Sequence, residues 1–499
     1  CCRYGVMLNM NKTLSGLVAL SLLFVFSSAK SVNQFEQWKQ QQQQSYQAYK
    51  DERDREFAAF LKQHWREVEL MKGFVRDDRP KPVVIPVAEP EPARPVPEPV
   101  PETATAEKTM PVITTPEKPV SLKPVPVPAE THTGIRVQVD YYGVPITFYY
   151  DPALNRIRPD RISEKAISTF WSDISRTDYE PLLEQLNRQQ MALQLNDWGY
   201  AVMINKLAQL IYPASDNARV LFNWFVLTKS GYKSRVAYNE RDVFILIPSF
   251  QRLYDVTYFT LGGERYYAVS FDGIARIPGQ VYTYDGQYPD ASKSMDMVIH
   301  NQAVSDRDMQ TRPLSFEYGG KRYDIEAKYS RSQIDFLETY PQLDLEVYFD
   351  SEVAETTESA LLQQLATAIK NMDEQQALNF LLRFVQTSFK YKTDDMQFGE
   401  ENYLFPEETI YYPYSDCEDR SVFFAWLVRR LLGLEVVGLN YPGHVATAVH
   451  MTEAPQGDAV TFDGKQFVVA DPTYINARLG MTMPEYRHAV PEVIPVKKL

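Results

Sequence analysis

Between residues 34 and 72 the large apolar side chains fall in two series, Phe35, Tyr46, Phe57, Val68 and Trp38, Tyr49, Phe60, Met71, each stepping by eleven residues. An 11-residue repeat is about 3.67 residues per turn, so the two series form one nearly straight stripe along an α-helix, slightly right-handed if two such helices pair. The pattern predicts a long amphipathic helix within residues 30–78 that includes Gln40 to Gln44. Its stripe must be buried on the protein's own body, or on a second copy or partner docked along 34–72. From 79 to 130 the periodicity disappears into stretches such as Pro95-Val96-Pro97-Glu98-Pro99-Val100-Pro101. Such sequence cannot build a core and favours extended polyproline conformations, so it reads as a semi-rigid spacer holding the helix far from the C-terminal end.

Beyond residue 131 helical and strand-like runs succeed one another twice. Pro181 to Leu186 echoes Ala360 to Leu365, Val202 to Leu207 echoes Phe380 to Val385, and Leu221 to Val226 echoes Phe423 to Val428. The matches keep their order, which predicts a duplicated domain. The expected architecture is α+β, with one copy over 131–300, a second over 356–499 and a β-rich connector over 301–355. In the connector, Leu314 to Tyr318, Tyr323 to Tyr329 and Leu343 to Phe349 look like strands.

Composition narrows the function classes. The 499 residues are too many for one simple core, and a net charge of −13 argues against nucleic acid as a partner. Met10-Asn11-Lys12, the apolar run Leu14 to Phe26 and Ser27-Ser28-Ala29 describe a secretory signal peptide within residues 1–29. The run is too short to span a bilayer comfortably, so no transmembrane helix is expected and the chain is expected to be exported, periplasmic or extracellular. Cleavage after Ala29 would remove Cys1 and Cys2 and leave Cys417 as the single thiol. Six histidines without a His/Cys cluster at ligand spacing predict neither metal nor cofactor.

The candidate chemistry lies near the C-terminus. Ser415-Asp416 precedes an apolar run from Ser421 that Gly433 closes, a capped helix with Cys417 in its first turn. There the helix dipole favours a thiolate and lowers a cysteine pKa. His444 follows the turn Tyr441-Pro442-Gly443 and opens a strand, and the strand Gln466 to Ala470 ends on Asp471-Pro472. Twenty-seven residues separate Cys417 from His444, and again His444 from Asp471. A thiol with a base in reach, and a carboxylate to orient that base, make a Cys-His-Asp triad. A papain-type enzyme also runs Cys then His, but it is excluded by spacing, because its histidine lies about 130–150 residues downstream.

The segment from Tyr411 to Tyr474, with Asp416-Cys417-Glu418-Asp419-Arg420 heading a helix, Gly443-His444 opening a strand and Ala470-Asp471-Pro472 ending one, resembles the core of the transglutaminase-like superfamily. The resemblance implies a papain-like α+β core and thiol acyl transfer, with Cys417 as nucleophile, His444 as base and Asp471 as its orienting group. Carried back through the duplication, the three positions fall on Ser215, Asp242 and Ser270, so the first copy keeps a frame without the chemistry. An insertion ahead of Cys417 brings Tyr411, Tyr412 and Tyr414, which with Asp416 are candidate substrate-binding residues; Gln397 is a candidate second oxyanion donor. The expected function is a secreted cysteine-dependent amide hydrolase, a cysteine protease or amidase acting on a peptide or protein. The alternatives are a cross-linking transamidase and a non-catalytic peptide- or glycan-binding module with a vestigial triad.

Overall fold

The structure, a computed structural model, describes residues 37–71, 73–74, 81–88, 134–272, 277, 279–300 and 308–498. The expected signal peptide and most of the expected spacer lie outside the described residues. It is an α+β structure.

The first helix, α1, covers 37–60 and ends there, short of the predicted 78. Strand β1 (Trp65–Val68) follows and pairs antiparallel at the edge of a six-stranded sheet. The stripe does not continue as helix, since Val68 closes β1 and Met71 bridges to Tyr258. Its C-terminal end meets a core: Phe57 packs on Trp171 at 4.7 Å and Tyr288 at 5.4 Å, while Trp65 packs edge-on against Tyr238 and Tyr284. Its other end does not, and Trp38, Tyr46 and Tyr49 are 56%, 64% and 52% exposed. The helix is therefore anchored on the protein's own body at one end, not held at a distance by the spacer.

The first unit opens with the hairpin β2 (Ile135–Tyr141) and β3 (Val144–Tyr150). Its two turn residues, Tyr142 and Gly143, both have positive φ, as the tightest hairpin turn requires. Helices α2 (Glu164–Ile174), α3 (Glu180–Ala192), α4 (Asp197–Ile211) and α5 (Asp216–Lys229) follow. The Asn196 side chain accepts the Gly199 amide to start α4, and Ser215 accepts the Ala218 amide to start α5. Strands β4 (Arg235–Tyr238), β5 (Val243–Ile247), β6 (Tyr258–Leu261), β7 (Glu264–Val269) and β8 (Val281–Tyr284) complete a sheet ordered β1-β8-β4-β5-β7-β6.

The second unit begins with another hairpin, β9 (Met309–Tyr318) and β10 (Lys321–Ser330), turning on Gly319-Gly320, again both at positive φ. It packs on α8 (Glu355–Ile369) and α9 (Glu374–Ser388), so it belongs with this unit and is not a free connector. Between them lie α6 (Arg331–Leu337) and α7 (Leu345–Asp350). The strand expected over Leu343 to Phe349 is this α7. Its apolar residues alternate, but Leu345, Val347, Tyr348 and Phe349 are all buried, and an apolar run this short carries no decisive period. After β11 (Lys390–Tyr391), α10 (Asp394–Gln397), α11 (Pro406–Tyr411) and β12 (Tyr414–Ser415) comes α12 (Cys417–Leu432). Strands β13 (Val436–Tyr441), β14 (His444–Val449), β15 (Ala459–Phe462), β16 (Lys465–Ala470) and β17 (Glu492–Pro495) form a sheet ordered β15-β16-β14-β13-β17.

Read from the other edge, this sheet has the order of the first with β1 removed, and its pairings are antiparallel in both units. The three-pair ladder that begins with Ile245 opposite Val269 corresponds to the one that begins with Thr447 opposite Ala470. That register puts Asp242 where His444 stands and Ser270 where Asp471 stands.

Candidate functional site

Helix α12 is buried on nearly every face, which suits its continuous apolar run, and packs on α9, α11, β13 and β14. Its N-terminus is fixed by Asp419, whose carboxylate accepts the Asp416 amide at 3.1 Å and the Leu404 amide at 2.9 Å. Gly433 closes it in the left-handed conformation. Cys417 is its first residue and is fully buried. Ser421, one turn on, donates to the Val445 carbonyl at 3.0 Å and ties the helix to β14 beside His444.

His444 opens β14, and Asp471 follows the last residue of the neighbouring strand β16. His444 Nε2 lies 2.8 Å from Asp471 Oδ2, with both side chains almost wholly buried. The other carboxylate oxygen accepts the amides of Thr473 at 2.9 Å and Tyr474 at 3.1 Å. A carboxylate on Nε2 makes that nitrogen the donor and leaves the lone pair on Nδ1. Nδ1 is buried and has no hydrogen-bond partner. The imidazole stacks on Tyr486 at 5.0 Å and on Tyr441 at 6.3 Å, near-parallel to both, which fixes the ring plane.

The thiol differs from the sequence expectation. Cys417 Sγ donates to Glu418 Oε2 at 2.9 Å, and no hydrogen bond joins it to His444. Burial, followed by the charges of Glu418 and Asp416, pushes the thiol well above its ordinary range, although Lys81 opposes this. The helix N-terminus was expected to lower it. A dipole effect of about 1 kcal/mol is outweighed by complete desolvation and two adjacent carboxylates.

Lys81 is the residue that sequence reasoning missed. Its Nζ lies 2.8 Å from Asp416 Oδ2, 2.6 Å from Glu401 Oε1 and 3.7 Å from Asp394 Oδ2, and it also contacts Glu418 Oε1. Burial works against its charge, but the carboxylates outweigh that and hold the ammonium protonated. The acids divide. Glu418 is held well below the carboxylate range despite burial, chiefly by Lys81. Asp416 is pushed up to about 7 and Glu401 to about 8, each first by burial and then by Glu418. Asp394, Asp416 and Asp419, and likewise Asp394, Glu401 and Glu418, bring their oxygens close enough together to hold a hard cation; here the ammonium supplies the positive charge. The only hint in the sequence was the density of acids around Cys417.

The tyrosines of the insertion are used otherwise than expected. Tyr411 packs under the Arg331 guanidinium and against Tyr329, and Tyr412 donates to Glu338 at 2.8 Å. Both brace α11 against the first strands and helix of this unit. Tyr414 sits beneath Lys392, and only Asp416 of the four candidates touches the cluster around Cys417. Gln397 Nε2 is buried without a partner.

No family model, no curated protein and no solved structure matches this chain.

Proposed function

We propose that the chain is a cysteine-dependent acyl-transfer enzyme of transglutaminase-like type that hydrolyses amide bonds in a peptide or protein, with the second unit catalytic and the first a duplicate without chemistry. The observation that carries this reading is the His444–Asp471 pair, which leaves Nδ1 as a buried, unpartnered base next to the helix that bears Cys417. In the proposed cycle Nδ1 takes the thiol proton and the thiolate attacks the substrate carbonyl. The leaving amine takes the proton from the imidazolium, and water, activated by the same nitrogen, resolves the thioester. Asp242 and Ser270 at the corresponding positions of the first unit supply no such base. The apolar run Leu14 to Phe26 supports export. Among the described residues, no helix is long and apolar enough to cross a membrane.

The buried thiol, bonded to Glu418 and not to His444, favours a second reading, a binding module with an idle triad. One experiment separates the two. Wild type, Lys81→Ala and Cys417→Ala are incubated with a peptide library and a labelled primary amine, and new termini, deamidated glutamine and incorporated amine are read by mass spectrometry. Products that vanish with Cys417→Ala support the enzyme. No product from wild type or Lys81→Ala leaves the binding module, and amine incorporation outrunning hydrolysis moves the reading to a transamidase.

A further inference from the structure

Residues 81–88 come from sequence with no core-forming capacity, yet they lie along the second unit. Lys81 enters the acidic cluster, and Tyr391 donates its hydroxyl to the Pro82 carbonyl at 2.7 Å. Further on, the segment bridges in parallel to Ile475: the Ile475 amide donates to Pro86, and the Ala88 amide returns to Ile475 at 2.8 Å. Ala88 is buried against Tyr474, Ala477 and Met483. One end of this extended segment thus contacts the residues on either side of Cys417, and the other contacts the residues just after Asp471.

A cluster of carboxylates around one ammonium is a poor device for merely fastening a linker, because each buried charge carries a desolvation cost of several kcal/mol. The cluster also holds more acceptor capacity than Lys81 uses, since Asp416 Oδ1 is buried with no partner. Main-chain pairing of an extended strand together with a pocket for one side chain is how sheet edges read peptides. We propose that Asp394, Glu401, Asp416 and Glu418 form a subsite for a cationic side chain of an extended polypeptide, that Lys81 fills it in cis, and that the 81–88 segment thereby keeps Cys417 covered until a competing chain displaces it. This deepens the proposed function by assigning the substrate a lysine-like residue near the bond attacked, and its covering role rests on Cys417 being the nucleophile.

The test uses the full chain and two readouts. Alkylation of Cys417 by iodoacetamide, followed at that peptide by mass spectrometry, is expected to be about ten-fold or more faster in Lys81→Ala than in wild type, and slow in Lys81→Arg. Millimolar Nα-acetyl-lysinamide is expected to slow labelling of Lys81→Ala and raise its melting temperature, while the uncharged Nα-acetyl-norleucinamide does neither. Lys81→Met, which keeps the length of the side chain, serves if Lys81→Ala does not fold. Folded Lys81 variants that label at the wild-type rate overturn the covering role. Equal shifts from the two amides, or none, overturn the cationic subsite. The melting shift does not involve the thiol, so an inert Cys417 with an intact lysinamide shift would fail the enzymatic reading while leaving the subsite standing.

Discussion

Asp471 has no idle oxygen, since one accepts from His444 and the other from two backbone amides. Asp471→Asn keeps the shape but removes the charge that would stabilise a protonated imidazole. Turnover of any substrate found is expected to fall by about 10²–10⁴-fold while the fold is kept, and a loss below ten-fold would reduce Asp471 to a scaffold residue. The element ends on which Cys417, His444 and Asp471 sit were legible, because caps, turns and prolines leave marks in sequence. The state of the thiol was not legible. Its burial, its bond to Glu418 and the opposing charge of Lys81 come from packing, and Lys81 lies 335 residues from Asp416.

At the scale of elements, α1 offers a direct contrast along one stripe. Phe57→Ala removes a ring buried among Trp171, Tyr284 and Tyr288, and is expected to cost about 3–5 kcal/mol in urea unfolding. Tyr46→Ala, on the exposed end, is expected to stay within about 0.5 kcal/mol. Equal costs would mean that the whole stripe is covered in solution. Of the two eleven-residue series, Trp38, Tyr46, Tyr49, Phe57 and Phe60 lie on the helix and Val68 and Met71 do not, and repeat geometry carries no information on which turns find a partner.

The insertion carries its own pH dependence. Burial pushes the Glu407 carboxyl up to about 7 and Glu408 up to about 8. Both are therefore neutral when folded at mildly acidic pH and ionise more readily when unfolded. Their stabilisation is complete below the ordinary carboxylate range and is lost as pH rises to 7–8. The slope is up to about 1.4 kcal/mol per pH unit for each group. Glu408→Gln keeps an acceptor for the Phe405 amide and is expected to flatten the fall in the urea midpoint between about pH 5 and 8. An unchanged slope would show that Glu408 is already ionised in the folded chain.

The two units share a seam as well as a strand order. Trp198 donates to Thr339 at 3.0 Å, Asn196 donates to the Tyr340 hydroxyl at 2.8 Å, and the Trp198 and Tyr340 rings pack at 5.6 Å, tilted 45° to each other, within one continuous core. Calorimetry is therefore expected to show a single transition, and Trp198→Ala to lower it as a whole; two resolved transitions would contradict the shared core. The order of apolar runs hinted at the strand order that the two sheets share, but the extra edge strand β1 and the docking of residues 81–88 were not legible, because the partners of both lie far along the chain. That distance orders events during synthesis. Lys81 leaves the ribosome 335 residues ahead of Asp416, roughly 15–70 s earlier at ordinary elongation rates. The segment that fills the acidic pocket is thus always present before the pocket exists, and no newly made molecule passes through a stage with an open site and no occupant at hand.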